Sequence, residues 1–190
     1  MTCWKWTVLI LIAIFIIFVL PFIIYFVVVK PKNPTFTIDH ASVNDFNLTS
    51  DGHLTAFFGI GIRANNPNHK MKLKYRHIRV SIFKDKQNLA TDSFPGFTQR
   101  KHNVTVVRVQ PVSLNVSLKK GPKFDFGVES GMGYVIFDVF MTSTLNAANL
   151  EVDCKGIMVN FTADNNNNNS NNGQNFQSSR GCSVLVYSDD

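Results

Sequence analysis

The chain has 190 residues, a formal net charge of +6 and three cysteines. This length is enough for one domain beyond any targeting or membrane segment. Three cysteines cannot supply the two or more disulfides that hold small secreted scaffolds together, so that class of protein is excluded.

The first predicted element is a membrane-spanning helix. Residues 6–29 form an uncharged and almost wholly apolar run, with Lys5 before it and Lys30 after it. About 20 apolar residues are needed to cross the hydrocarbon core of a bilayer, and the run is long enough. We therefore predict a cytosolic tail at 1–5, an uncleaved signal anchor at 6–29 and a linker at 30–35. The alternative is a cleaved signal peptide, whose apolar core is about 7–15 residues long and precedes a small-residue cleavage site that this sequence lacks.

The direction in which the helix crosses the membrane stays open from charge alone. Lys30 and Lys32 outweigh Lys5 by one lysine, and the initiator amine offsets that difference. Sequences of the N-x-[ST] type, which accept N-linked glycans, point instead to a luminal or extracellular domain. Their asparagines are Asn47, Asn103, Asn115, Asn160 and Asn168. The basic balance of an anchored chain favours anionic lipid or an acidic polysaccharide as a neighbour over nucleic acid.

The cysteines have separate interpretations. Cys3 lies at the membrane edge and is a candidate for reversible palmitoylation if it faces the cytosol, with an unmodified thiol as the equal alternative. Cys154 lies in an alternating strand pattern and is most simply a small buried apolar side chain. A bridge between Cys154 and Cys182 is possible in an oxidising compartment, but spacing alone does not show it.

The region 36–163 has the period-two alternation of β-strands. The clearest apolar face consists of Leu54, Ala56, Phe58, Ile60, Ile62 and Ala64. Shorter patterns cover 104–109, 112–118, 135–141 and 150–154, and turn signals rich in Gly, Asn and Pro separate them. No segment beyond residue 30 has a convincing helical period. The pattern predicts an all-β domain built as an antiparallel β-sandwich.

One strand changes its apolar phase. The apolar series that ends at Tyr75 resumes at Ile78, which is an odd step. Because strand side chains have period two, the step predicts either a bulge near Arg76–His77 or two separate short strands.

The last part of the chain, 164–190, begins with a run of asparagines followed by Ser, Gly and Gln. Such a segment cannot bury enough apolar surface to offset the entropy lost on ordering. We therefore predict a disordered, Asn-rich tail.

Several segments in a fixed order carry a resemblance. An apolar alternating strand is followed by Asn66-Pro67-Asn68 and by a short strand that ends at Tyr75. The later segments are Ile78-Arg79-Val80-Ser81-Ile82-Phe83, Leu89-Ala90, Phe94-Pro95-Gly96-Phe97, Lys101-His102-Asn103-Val104-Thr105 and Leu150-Glu151-Val152-Asp153-Cys154. Together they resemble the late-embryogenesis-abundant type-two domain, and more closely its membrane-anchored plant branch, the harpin-induced-like and non-race-specific-disease-resistance-like proteins. The resemblance covers about residues 5–162.

The resemblance implies an immunoglobulin-like or fibronectin-III-like sandwich. It also implies that the N-terminus faces the cytosol and that the sandwich lies outside the plasma membrane or at plasmodesmata. The family is associated with pathogen defence and stress responses and has no established enzymatic activity. Residues 138–143 depart from the family, whose members commonly have a basic, aromatic segment ending in Gly there, so partner contacts through this part do not carry over.

The sequence contains no pattern typical of catalysis. The five histidines are scattered, and none forms an i, i+4 pair on a helix as in a common zinc site. Gly59-Ile60-Gly61 lacks the third glycine and the following helix of a dinucleotide-binding fingerprint. We therefore predict no enzyme activity, no cofactor and no metal.

The best candidate for binding is a basic row at strand spacing, formed by Lys70, Lys72, Lys74 and Arg76. Such a row can engage a polyanion, whether demethylated pectin or anionic lipid, although lysines also commonly occupy the solvated face of a half-buried strand. The leading hypothesis is a non-enzymatic, single-pass plasma-membrane glycoprotein of plant defence that adheres to the cell wall or acts as a scaffold for other membrane proteins. The alternative is a membrane-tethered lipid-binding module with a cleft lined by phenylalanines. The oligomeric state stays open.

Overall fold

The computed structural model describes residues 2–29, 31–118, 131, 133–161, 173–176 and 181–188, with the backbone alone at 2–3, 26–29 and 173–176. The chain divides into two units, Met1–Lys32 and Asn33–Asp190, and each is described by itself.

The first unit is helical. Helix α1 covers Thr2–Ile14, a π-helical turn covers Phe15–Val19, and helix α2 covers Leu20–Val29. Pro21 has no N–H to donate to the turn before it, and a π-helical turn is one way in which a helix adapts to such a gap. Trp4–Tyr25, 22 residues, is the one span within the described residues that is long and apolar enough to cross a membrane. This agrees with the predicted membrane helix.

The second unit consists of antiparallel strands. Their bounds are β1 Thr35–Leu48, β2 His53–Asn66, β3 Leu73–Lys84, β4 Gln87–Phe94, β5 Phe97–Gln99, β6 Asn103–Val109, β7 Val112–Ser117, β8 Tyr134–Leu145, β9 Ala148–Phe161, β10 Gly173–Phe176 and β11 Ser183–Tyr187. The strand order is β4-β3-β8-β9-β10-β1-β2-β6, with β5 on β3, β7 on β2 and β11 on β9. The fold class is thus the predicted all-β sandwich with an N-terminal apolar helix.

Apolar side chains from the two halves of this sheet order pack against each other in the core. The ring centroids of Phe58 on β2 and Phe137 on β8 lie 5.3 Å apart, and those of Phe36 on β1 and Tyr75 on β3 lie 6.3 Å apart. The predicted apolar face of β2 is confirmed, because all six of its residues are buried. Burial of this kind stabilises a domain by about 25 cal/mol per Å² of apolar surface.

The odd step in β3 is a bulge within one strand. The pairing of β3 with β8 shifts register between Arg76 and Arg79, and His77 between them has a φ of 51°. The extra residue lets Tyr75 and Ile78 both point into the core. The prediction of a bulge near Arg76–His77 is confirmed.

A disulfide holds the C-terminal strand in the sheet. Cys154 on β9 is bonded to Cys182, which directly precedes β11, and the Cys182 N–H donates a 3.0 Å hydrogen bond to the Phe36 carbonyl. Strand β11 then pairs with β9 from Ser183 to Tyr187. The sequence left open whether Cys154 and Cys182 pair, and in the structure they are bonded to each other.

The predicted disordered tail therefore needs correction for part of 164–190. Gly173–Phe176 and Ser183–Tyr187 are strands, and the half-buried side chains of Val184 and Val186 pack against the core. The low-complexity composition suggested that too little apolar surface is buried to offset the entropy lost on ordering. For Ser183–Tyr187, the apolar packing and the disulfide offset that loss. The rest of the segment, 164–172, 177–180 and 189–190, lies outside the described residues.

A buried polar network closes the end of β2. The Asn66 side chain donates to the carbonyls of Met71 and Arg100 at 2.9 and 3.0 Å, and accepts from the backbone and side-chain N–H groups of Asn68 at 3.0 Å each. Gln99 donates to two further carbonyls and accepts from the hydroxyl of Tyr75 at 3.2 Å. Burial raises the pKa of the Tyr75 hydroxyl, so it stays a hydrogen-bond donor. The Asn-Pro-Asn turn thus has a structural role.

Candidate functional site

An open cleft of about 630 Å³ lies on the outward face of β1, β2 and β6. The inward face of β2 is the buried apolar row, so the alternate residues of β2 face the cleft. Gly59 and Gly61 form its floor, and Phe57 lies at one end.

The strand register places the cleft residues in transverse rows. His40 on β1 is opposite Gly61, and Gly61 is opposite Arg108 on β6. Since neighbouring strands are about 4.8 Å apart, the Cα atoms of His40 and Arg108 are about 10 Å apart with no side chain between them. The row at the other end joins Asn44, Phe57 and Val112. Gly61 lies four residue steps along β2 from Phe57, which makes the cleft about 13 Å long.

The two glycines allow a close approach of β1. A Cβ atom at position 59 would lie 2.5 Å from the Ser42 hydroxyl oxygen, and one at position 61 would lie 3.3 Å from the Cβ of His40. A larger residue at either position would therefore fill the cleft and push on β1.

The charges of the cleft are unevenly distributed. Arg108 is exposed and has no ion-pair partner among the described residues, whereas nearby Arg63 is paired with Asp39. The exposed His40 shares the end of the cleft with Arg108, and Asp45 lies at the Phe57 end. The end over Gly61 is thus suited to an anion, while the other end combines an aromatic ring with neutral and acidic groups.

The basic row is exposed along its whole length. Lys70 and Lys72 precede β3, and Lys74 and Arg76 lie within it; the side chains of Leu73 and Tyr75 between them are buried. The row therefore faces solvent, as a half-buried strand requires. Binding of a polyanion by this row stays a prediction.

The histidines do not converge as a metal site would require. The rings of His69 and His102 are stacked, with centroids 4.4 Å apart and planes inclined by 18°, so their nitrogens do not point to a common centre. His77 lies at the bulge of β3. In the described ranges, no group of three or more His, Cys, Asp or Glu is placed to hold a metal ion.

The glycan acceptors differ in exposure. Asn47, Asn103 and Asn115 are exposed, whereas Asn160 is half-buried within β9, opposite Tyr134. Asn168 and the side chain of Cys3 lie outside what the structure describes. Glycosylation and palmitoylation at these positions stay predictions.

Sequence reasoning missed the cleft. Its two floor glycines are visible at alternate positions of a strand, and isolated glycines in a strand can mark a close backbone approach. They were tested only against a dinucleotide fingerprint, and the residues around them come from β1 and β6, whose registers are not evident from the sequence.

Comparison with known proteins gives three relatives, although no family model matches the chain. An uncharacterized protein of Arabidopsis thaliana is 28% identical over 154 residues, which cover 76% of this chain and 70% of that protein. NDR1/HIN1-like protein 6 of Arabidopsis thaliana is 34% identical over 88 residues, 46% of this chain and 35% of the relative. NDR1/HIN1-like protein 10 of the same plant is 24% identical over 142 residues, 74% of this chain and 55% of the relative. The chain thus spans about a third and about half of the two named relatives.

Proposed function

We propose that this chain, whose relatives support its assignment to the NDR1/HIN1-like family, is a non-enzymatic, membrane-anchored protein of plant defence or stress responses. The apolar helix fits a single-pass anchor. Because the matched regions are only part of the two named relatives, the activity proposed here rests on this chain's own residues.

This proposal places the sandwich on the outer side of the plasma membrane, which includes the membrane at plasmodesmata. The observation that carries it is the Cys154–Cys182 disulfide, because structural disulfides form and persist in oxidising compartments and are rare in the cytosol. The exposed acceptors Asn47, Asn103 and Asn115 are in keeping with a glycoprotein. In this orientation the N-terminal residues 1–5 face the cytosol.

The proposed action is adhesion to acidic polymers of the cell wall, or scaffolding of other membrane proteins. Adhesion is supported by the exposed basic row and by the net charge of +6. A row of cations attracts a polyanion through many weak, salt-sensitive contacts and needs no catalytic constellation.

Removing part of the basic row is expected to weaken binding to walls. The full chain in nanodiscs of neutral lipid is mixed with isolated plant cell walls and sedimented at low salt. Lys72→Gln together with Lys74→Gln is expected to reduce the bound fraction at least threefold, because two exposed cations of the row are lost.

The matched control replaces Lys86 and Lys155, which are exposed elsewhere on the sandwich, and removes the same net charge. It should leave most of the binding intact. Equal losses in the two double variants, or no binding by the unchanged chain, would contradict adhesion through the row.

The alternative of a lipid-binding module needs a cleft lined by phenylalanines. In the described part of the sandwich, Phe58 and Phe137 fill the core by packing on each other. The cleft over β2 is lined by polar groups as well as by Phe57. The structure therefore offers this alternative no specific support.

A further inference from the structure

We infer that the cleft over Gly59 and Gly61 binds an acidic polysaccharide, with a uronate carboxylate seated over Gly61 between Arg108 and His40. This deepens the proposed adhesive function and rests on it, because it names the site and the class of polymer. It is separate from the basic row on β3.

The carboxylate position follows from the row of His40, Gly61 and Arg108. The two flanking side chains rise from strands on either side of a residue that has none. A guanidinium presents paired N–H donors that match the two oxygens of a carboxylate. Arg108 is exposed, and no described acidic group forms an ion pair with it, so this donor pair remains available to a ligand.

The remainder of the cleft suits a sugar ring. Phe57 is 41% exposed, and Val112 opposite it is 38% exposed. The two side chains form an apolar surface on which the C–H face of a pyranose can pack. The amide side chains of Asn44 and Gln110 also line the cleft and can pair with hydroxyl groups. An apolar surface with a few placed polar groups is the usual composition of a small-ligand site.

The cleft floor disfavours an extended peptide as the ligand. Strand β2 is hydrogen-bonded to β1 on one side and to β6 on the other, so its backbone groups are already paired. Peptides that bind to sheets commonly add a strand at an open edge, which the floor strand β2 does not have. The cleft offers side-chain amides, a guanidinium and an exposed aromatic ring. These groups match a polyhydroxylated acid better than they match an extended peptide.

The cleft also has a polarity. Asp45 lies at the Phe57 end, about 13 Å from the carboxylate position over Gly61. The two ends of the cleft therefore differ: the groups that would hold a carboxylate lie over Gly61, and the exposed ring lies at the Phe57 end.

The test measures binding of a defined probe, the hexamer of α-1,4-linked galacturonic acid, to the full chain in nanodiscs of neutral lipid by calorimetry. Arg108→Gln is expected to weaken binding at least tenfold, and Phe57→Ala severalfold. Arg79→Gln, which removes another exposed arginine, from β3, should change the affinity less than twofold. The fully methyl-esterified hexamer should bind at least tenfold more weakly than the acid.

Three results would overturn the inference: equal losses with Arg108→Gln and Arg79→Gln, no preference for the acid over its ester, or tighter Arg108-dependent binding of hexaglutamate. Folding of each variant is checked by circular dichroism, and Gln at position 108 keeps the three side-chain carbons of Arg and a polar end without the charge. If the chain still sediments with walls while Arg108→Gln has no effect, the cleft inference fails and the adhesive function stands. If the chain binds no wall material at all, the adhesive function itself fails.

Discussion

Replacing Cys154 and Cys182 together by alanine is expected to lower the free energy of unfolding of the sandwich by about 3.5 kcal/mol. The disulfide closes a loop of 28 residues, and its loss restores to the unfolded chain the freedom that this closure removed. Strand β11 also loses its covalent attachment to β9 and is then held only by non-covalent contacts: its backbone pairing with β9, side-chain hydrogen bonds and the packing of Val184 and Val186. Release of β11 would leave part of the β9 edge unpaired, a surface prone to aggregation.

The measurement is thermal unfolding of the full chain in detergent, followed by the β-sheet circular dichroism signal. For a domain of this size, the loss corresponds to a fall of about 10 °C in Tm. Cys3→Ala is the matched control, because it removes the remaining thiol without touching the bridge, and it should leave Tm unchanged. A reducing agent should lower the Tm of the unchanged chain to that of the double variant, and a double variant as stable as the unchanged chain would refute the stabilising role.

Replacing Asn66 by alanine is expected to lower the free energy of unfolding by about 3 kcal/mol. Asn66 is fully buried, and its side chain satisfies two backbone carbonyls and the N–H of Asn68. Alanine would leave these groups without their partner, and each buried group left unpaired costs about 1–3 kcal/mol. The loops that carry Met71 and Arg100 would also lose the link that joins them to β2.

Asn65→Ala is the matched control for this substitution. The neighbouring asparagine is half-buried, and within the described residues its side chain donates one exposed, 3.3 Å hydrogen bond, to the hydroxyl of Thr35. We expect a change below about 0.5 kcal/mol for it. Urea unfolding of the full chain in detergent would measure both free energies, and similar small losses for the two variants would show that the network does not hold this end of the sandwich together.

The sequence predicted strands well where the alternation of buried and outward-facing residues continues without interruption. Strand β2 keeps its buried residues at every second position from Leu54 to Ala64, so its alternation is visible. Strand β1 was not identified, because its register with β2 shifts twice, between Ile38 and His40 and between Asn44 and Asn47. Its apolar positions therefore change phase, and no single alternation fits the whole strand. The bulge at His77 in β3 was visible because the apolar alternation is clear on both sides of it.

The C-terminal segment shows a different limit. Low-complexity composition indicates that a segment has little apolar surface to bury, but it does not reveal a covalent attachment at its end. Cys182 and the short apolar strand Ser183–Tyr187 are held by β9, whose position depends on the whole fold. Whether two cysteines meet depends on tertiary geometry, which spacing along the chain does not contain.

Of the two candidate binding surfaces, the sequence predicted one and missed the other. The basic row was evident because its members alternate along one stretch of chain. The cleft was not, because Arg108 and His40 are 68 positions apart and become neighbours only through the pairing of β1, β2 and β6. The outward-facing glycines were the one local signal, and their meaning depends on the close approach of Ser42.

The most direct test of the account is protease protection of a C-terminal tag on the full chain in sealed microsomes whose cytosolic side faces outward. An extracellular sandwich predicts that the tag survives protease until detergent opens the membrane, and that Cys154 and Cys182 resist alkylation until they are reduced. Digestion of the tag in intact vesicles would place the sandwich in the cytosol. That result would contradict the proposed compartment and the glycan acceptors, and it would remove the acidic wall polymers from reach of the cleft.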